Sequence, residues 1–111
     1  MQQPEAGGGG DPFEALGDAH RRAIIEVLVQ GGRSVREIAD RLPISRPAVS
    51  RHLRLLKEAG LVAEQQRGTR HIYELQTAGV EAVQEYLTKV WGSAAARFRI
   101  FAENTLPKSD E

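Results

Sequence analysis

Cysteine is absent from this chain of 111 residues. Without thiols, the protein can form neither disulfides nor thiolate metal sites, and it cannot sense redox changes through cysteine chemistry. The sequence also lacks an apolar run of membrane-spanning length, and its N-terminus has no basic stretch followed by an apolar one, as a signal peptide would have. These absences predict a soluble cytoplasmic protein.

Net charge is absent as well, since 15 Lys and Arg residues balance 15 Asp and Glu residues. The charges are nevertheless unevenly distributed. Residues 1–20 contain four acidic and no basic side chains, residues 21–75 contain eleven basic and six acidic ones, and residues 76–111 contain four and five. The positive middle of the chain suits a nucleic-acid partner, although an ordinary arginine-rich solvated surface has the same composition.

Motifs for catalysis and for metal binding are also missing. The sequence has no cysteine nucleophile, no glycine-rich phosphate loop and no cluster of histidines and carboxylates with workable spacing. Its three histidines, His20, His52 and His71, fall on three different predicted elements and do not share the spacing of metal ligands. We therefore expect no enzymatic activity, no cofactor and no shared metal site.

The length of the chain predicts one small domain. Residues 1–10, which end in four glycines, have the composition of a flexible tail. Residues 11–104 are predicted to form the folded domain, and residues 105–111 a C-terminal tail. Hydrophobic periodicity predicts a mainly α fold, with about five helices and one small β-hairpin.

Apolar residues at Phe13, Ala15 and Leu16 indicate the first helix, and capping residues locate the next two. A short helix is predicted over residues 11–17, and a second over residues 19–30, where Asp18 supplies the N-cap. Ser34 and Glu37 have the spacing of a capping box and open the third helix. A short turn then leads into a fourth helix, so that the two together match a helix-turn-helix motif.

The fourth helix, within residues 45–61, has two different faces. Its buried face is predicted from apolar residues at helical spacing: Val49, Leu53, Leu56 and Ala59. The other face has arginines, which can bridge guanine O6 and N7, and serines, which can contact a base or a phosphate. This is the pattern of a DNA recognition helix. Its predicted contact residues are Ser45, Arg46, Pro47, Ser50, Arg51, His52 and Arg54.

Two extended segments follow the fourth helix. They begin at Leu61 and at Arg70, and Gly68 between them supplies the flexible backbone of a tight hairpin. Arg67 and Arg70 flank the tip. A hairpin with basic residues at its tip, directly after a recognition helix, is the wing of a winged helix-turn-helix, so we add Arg67 and Arg70 to the predicted DNA-binding residues.

The last helix is predicted over residues 78–104 and has a long apolar stripe. This stripe exceeds what a domain with three core helices can cover, which favours a dimer interface over a helix folded onto its own domain. Gly92 interrupts the helix at about 1 kcal/mol relative to alanine. The predicted interface, to which the first helix contributes two residues, comprises Phe13, Leu16, Val83, Leu87, Val90, Trp91, Ala94 and Phe98.

Three stretches of this sequence resemble the ArsR-type (ArsR/SmtB-like) winged helix-turn-helix transcriptional repressors. They are residues 13–24, residues 34–61 and the segment from Arg67-Gly68 to Tyr73 and Leu75. The run Ser-Arg-Pro-Ala-Val-Ser-Arg-His-Leu within the second stretch is highly specific. The resemblance implies a homodimer formed by the first and last helices, which binds an inverted-repeat operator at its own or a neighbouring promoter and is switched by a ligand.

The sequence departs from the metal-sensing members of that family. Where those members have a cysteine pair on the third helix, this chain has the segment from Ser34 to Asp40. The last helix has Glu81, Glu85 and Glu103 but no histidine. We therefore do not expect a metal sensor of the familiar kind, and the effector remains undefined by the sequence.

A winged-helix module that binds proteins instead of DNA is the main alternative. Such modules usually lose the basic residues of the recognition helix and wing. This chain retains them, as Arg46, Arg51, Arg54, Arg67 and Arg70 show. The sequence therefore favours a dimeric, sequence-specific DNA-binding regulator, most simply a repressor.

Overall fold

The computed structural model describes residues 10–105. Residues 1–9 of the predicted N-terminal tail and residues 106–111 of the predicted C-terminal tail lie outside this part. The elements in chain order are α1 (Pro12–Ala15), α2 (Ala19–Leu28), α3 (Val35–Ala39), α4 (Arg46–Glu58), β1 (Val62–Arg67), β2 (Arg70–Leu75), α5 (Ala78–Leu87), a π-helical turn (Thr88–Gly92) and α6 (Ser93–Thr105). Within residues 10–105, no helix is both long and apolar enough to cross a membrane.

The predicted residues Asp18, Ser34 and Ser45 form the N-caps of α2, α3 and α4. Asp18 and Ser45 each accept a hydrogen bond from the backbone N–H three residues later, at 3.0 and 3.2 Å. Ser34 accepts from the N–H of Glu37 at 3.2 Å, and the Glu37 carboxylate accepts from the N–H of Ser34 at 2.9 Å. The predicted capping box is therefore confirmed, and it fixes where α3 starts.

One apolar core joins α1 to α4 and the base of the hairpin. The face of α4 predicted to be buried is confirmed, because all four of its apolar residues lie in this core. The buried cluster consists of Ala15, Ile24, Leu28, Ile38, Val49, Leu53, Leu56, Ala59, Leu61 and Val62. Burial of this face leaves the opposite face of α4 directed outward.

The hairpin pairs β1 with β2 in antiparallel register, from Val62 opposite Leu75 to Arg67 opposite Arg70. Gly68 at the tip has φ 65°, the left-handed conformation expected for a tight turn. Arg33, between α2 and α3, exchanges two backbone hydrogen bonds with Tyr73, at 3.0 and 2.8 Å. The sequence did not predict this bridge, which attaches the hairpin to the start of the helix-turn-helix.

The end of α4 lies unusually close to the start of α5. The Gly79 N–H donates to the Gly60 carbonyl at 2.8 Å. A Cβ on Gly79 would collide with the carbonyl oxygen of Ala59 and lie 2.9 Å from Cδ2 of Leu61. Only glycine allows this approach, so Gly79 determines how α5 leaves the domain.

The last helix is predicted as one α-helix over residues 78–104 in which Gly92 is unfavourable, and the structure departs from an α-helix at this place. The structure has a π-helical turn from Thr88 to Gly92. Glycine has low helix propensity, and the β-branched Thr88 and Val90 also fit an α-helix poorly. A π-turn holds one extra residue, which rotates the following positions by about 100°. The predicted apolar stripe is therefore divided into two segments.

The N-terminal boundary of the folded part also differs by one residue from the prediction. The N–H of Gly10, which was assigned to the tail, donates to the carbonyl of Glu58 at 2.8 Å. This hydrogen bond attaches the chain to the last turn of α4 before α1 begins. Gly10 therefore belongs with the folded domain.

Candidate nucleic-acid interface

The outward face of α4 presents basic and small polar side chains. Ser45 sits at the N-cap, and the predicted contact residues are exposed with one exception, His52, which is half-buried. The exposed members are Ser45, Arg46, Pro47, Ser50, Arg51 and Arg54. Since Val49 and Leu53 hold the opposite face in the core, this set projects from a rigid support.

The arginines of this face have no partner within the described part of the chain. Arg46, Arg51 and Arg54 form no ion pair and no side-chain hydrogen bond with any residue from 10 to 105. Each guanidinium has five N–H donors in a planar fork. Their donors are therefore directed to solvent and are free to contact an external acceptor such as a base edge or a phosphate.

The two wing arginines, unlike the arginines of α4, form ion pairs with glutamates. Nη2 of Arg67 lies 2.8 Å from Oε2 of Glu74 on the neighbouring strand, and Nη2 of Arg70 lies 3.2 Å from Oε2 of Glu37 on α3. Both arginine side chains remain more than half exposed, and surface pairs of this kind contribute little stability. These arginines can therefore exchange a carboxylate for a phosphate at small energetic cost.

Glu37 connects the helix-turn-helix to the wing. The backbone N–H of Ser34 is the main cause that lowers the pKa of Glu37, and Arg70 adds to the effect. Glu64 of β1 also joins elements, because Lys57 of α4 and His71 of β2 lie 2.9 and 2.6 Å from its two oxygens. The hydrogen bond from Lys57 is the largest cause that lowers the pKa of Glu64. Sequence reasoning found none of the three ion pairs that Glu37 and Glu64 form with Arg70, Lys57 and His71, because the partners lie on different elements.

His52 is directed toward α2 instead of lying fully on the outer face. Nη1 of Arg21 lies 3.4 Å from its Nδ1, and the rings of His20 and His52 are 5.8 Å apart between centroids. Burial is the largest cause that lowers the pKa of His52; Asp18 opposes this shift. The prediction that the histidines are dispersed is wrong for His20 and His52, because the crossing of α2 and α4 brings them together.

Six of the eight predicted dimer residues lie on α5, the π-helical turn and α6. Every residue from 84 to 101 is exposed, including Leu87 at 45%, Trp91 at 62% and Phe98 at 71%. Val90 and Ala94 are exposed as well, and Val83 is half-buried. An apolar surface of this extent is typical of an interface rather than of a free monomer.

The other two predicted dimer residues are Phe13 in α1 and Leu16 at its C-cap, and they differ in exposure. Phe13 is 44% exposed and makes an edge-to-face contact with Tyr86 of α5, with ring centroids 5.2 Å apart. Leu16 is half-buried and packs against the core. Tyr86, which the sequence did not single out, therefore joins α1 and α5 into one surface.

Comparisons with known proteins agree with this architecture. The family described as "Helix-turn-helix domain" matches residues 16–65. The HTH-type transcriptional regulator Rv2034 of Mycobacterium tuberculosis is 46% identical over 82 residues, which are 74% of this chain and 77% of that protein. The transcriptional repressor SdpR of Bacillus subtilis is 35% identical over 65 residues, which are 59% of this chain and 72% of that protein.

A solved structure from Mycobacterium bovis, Mb0332, is described as a homodimeric winged helix-turn-helix DNA-binding domain of a possible ArsR-family regulator. It is 28% identical to this chain with a TM-score of 0.57, and the match covers 88% of this chain and 84% of that one. The capped helices, the recognition-helix pattern, the wing and these relatives agree. The chain belongs to the ArsR-type winged helix-turn-helix transcriptional regulators.

Proposed function

We propose that the chain acts as a homodimeric repressor that binds an inverted-repeat operator at its own or a neighbouring promoter. The observation that carries this proposal is the exposed face of α4, where Arg46, Arg51 and Arg54 have no partner among residues 10–105. An α-helix fits the DNA major groove, and arginine forks match the acceptors of guanine there. The proposal assigns no catalytic reaction to the protein.

The roles of the contact residues follow from their positions. Ser50, Arg51 and Arg54 occupy the middle of the outward face and are proposed to reach base edges. Ser45, Arg46 and Pro47 form the first turn, where backbone N–H groups and side chains approach a phosphate. His52 retains a secondary role, because its ring is half-buried.

The wing is proposed to contact the DNA backbone beside the major-groove site. Arg67 and Arg70 would leave Glu74 and Glu37 and bind phosphates, a contact that adds affinity with little sequence information. The two half-sites of a palindromic operator require two wings and two recognition helices. The homodimeric relative supports this arrangement, and so does the exposed apolar surface from α5 to α6.

Selection of bound DNA from a random oligonucleotide library tests the proposal directly. We expect enrichment of an inverted repeat whose half-site centres are about one or more helical turns apart. A variant with Arg46, Arg51 and Arg54 all changed to Ala should enrich no sequence. A wild-type protein that leaves the library random, or that enriches only single half-sites, would contradict the proposal. Because its proposed partner is chromosomal DNA, we also infer a cytoplasmic location.

A further inference from the structure

The side chains of Asp18, His20 and His52 meet where α2 crosses α4. One carboxylate oxygen and one ring nitrogen from each histidine all lie within 4.8 Å of one another. Asp18 and His52 are half-buried, and His20 is exposed. We propose that these three residues bind one divalent transition-metal ion.

The donor set determines the class of ion. Two imidazole nitrogens and one carboxylate oxygen suit Zn²⁺, Co²⁺, Ni²⁺ or Cu²⁺, whereas Mg²⁺ and Ca²⁺ prefer sites made only of oxygen. Bonds of about 2.0–2.2 Å require the donor atoms to close toward a common centre by about an ångström. Side-chain rotation of the exposed His20 provides much of this movement. Three protein ligands leave a fourth position for water.

Neighbouring groups both support and oppose the ion. The Asp18 carboxylate is held in place because Oδ1 accepts the N–H of Arg21, and the backbone N–H of His20 also stabilises its charge. The Arg21 guanidinium, which donates to the carbonyl oxygens of Ala15 and Glu14 at 2.8 and 3.3 Å, lies beside His52 and repels a cation. We therefore expect micromolar rather than nanomolar affinity.

Metal binding at this site would link α4, the proposed recognition helix, to α2. Asp18 is the N-cap of α2 and His20 lies in its first turn, while His52 lies in the middle of α4, next to Arg51. The bound ion adds a cross-link between two helices that already contact each other by packing, by the neighbouring rings of His20 and His52 and through Arg21. A ligand that binds the folded state and not the unfolded one raises the melting temperature.

Titration of the untagged, full-length protein with Co²⁺ and with Zn²⁺ tests the proposal. Co²⁺ should produce d–d absorption that saturates at one ion per chain, and calorimetry with Zn²⁺ should give the same stoichiometry. His20→Gln and Asp18→Asn should each weaken binding at least tenfold. Asn is also a good N-cap residue, so the second variant removes the charge and retains the start of α2.

His71→Gln is the matched control, because His71 lies on the wing and is absent from the cluster. It should bind both ions as the wild type does. Circular dichroism in the presence of EDTA checks that every variant folds. The proposal is overturned if folded wild type shows no saturable binding at 100-fold molar excess of metal, if His20→Gln and Asp18→Asn bind normally, or if His71→Gln loses binding to the same degree.

Discussion

Arginine residues on the two proposed DNA-contacting elements differ in their partners. Arg51 on α4 is exposed and has no partner within residues 10–105, whereas Arg67 and Arg70 on the wing each pair with a glutamate. An unpaired guanidinium can adopt the fixed geometry that a base edge requires. A paired one must first leave its carboxylate, which suits a phosphate contact without sequence preference.

Arg51→Ala is expected to weaken operator binding by about 1–3 kcal/mol and to relax the preference at one base position. The reason is loss of a bidentate contact in the major groove. Affinities for operator and for random DNA, measured at the same salt concentration, check this result. Arg97→Ala removes an exposed arginine from α6 and is the matched control. Equal losses on both DNAs would instead assign Arg51 to a phosphate.

Glu37→Gln is expected to make the stability of the protein less sensitive to acid. The backbone N–H of Ser34 lowers the pKa of Glu37 below 4.5 in the folded state. Its stabilising contribution is therefore present above pH 4.5 and is lost as the pH falls through the lower, folded-state pKa. Glutamine keeps the capping box but does not titrate.

Urea unfolding midpoints measured between about pH 5 and pH 3 test this expectation. The wild type should lose more stability across that window than Glu37→Gln. Glu26→Gln, at an exposed position of α2 without a side-chain hydrogen bond inside residues 10–105, is the control. Parallel curves for the wild type and Glu37→Gln would show that the capping carboxylate does not contribute in this way.

At the scale of elements, helix N-caps and one backbone bridge set the positions of α4 and the wing. Capped starts fix α2, α3 and α4, and the Arg33–Tyr73 bridge holds the wing against the beginning of α3. The first strand of the wing also shares the apolar core with α4, through Val62. A ligand that contacts both elements would find them already in position.

The double variant Arg67→Ala/Arg70→Ala is expected to reduce the salt dependence of DNA binding. Each lost phosphate contact lowers the slope of log K against log salt by about one per subunit. Affinities for one operator measured across a series of salt concentrations give this slope. Arg97→Ala/Arg99→Ala removes the same charge from α6 and should leave the slope unchanged. A slope that the wing variant does not alter would contradict the wing contact.

At the scale of the whole molecule, the last helical segment extends beyond the core. All residues from 84 to 101 are exposed, and large apolar side chains are frequent among them. The π-turn at Thr88–Gly92 divides the apolar stripe, so that Leu87 and Phe98 do not lie on one straight α-helical line. A partner subunit that covers both parts of the stripe must therefore contact two differently oriented apolar surfaces.

Leu87→Glu is expected to yield monomers that bind a whole operator no better than a half-site. Leu87 is 45% exposed in one protomer, and a charge placed there would lose its hydration in the dimer without gaining a partner, at a cost of several kcal/mol. Sedimentation at micromolar concentration and binding to whole and half operators measure both effects. Glu85→Gln changes a nearby exposed residue and is the control.

A wild-type protein that sediments as a monomer would contradict the proposed interface. The same holds for a Leu87→Glu variant that remains a dimer with full operator affinity. A variant that aggregates would give neither result, so Leu87→Ser provides a milder change at the same position. It should weaken the dimer in the same direction.

The sequence by itself determined where the capped helices begin and which face of α4 is apolar and which is basic. Caps at Asp18, Ser34 and Ser45 were predictable because each depends on a hydrogen bond within one helical turn. The two faces of α4 were predictable because helical periodicity separates Val49 and Leu53 from the arginines. Both kinds of pattern depend on residues that are close in the sequence, so they can be recognised before the fold is known.

Only the tertiary structure decided the contacts between distant elements. The pairing of Arg70 with Glu37, the approach of Gly79 to Gly60 and the meeting of His20 with His52 each join residues far apart in the chain. No periodic pattern in the sequence predicts these contacts, because they depend on how the helices cross and on where two backbones can approach closely. The folded chain therefore brings together His20 and His52, which the sequence had predicted to be dispersed.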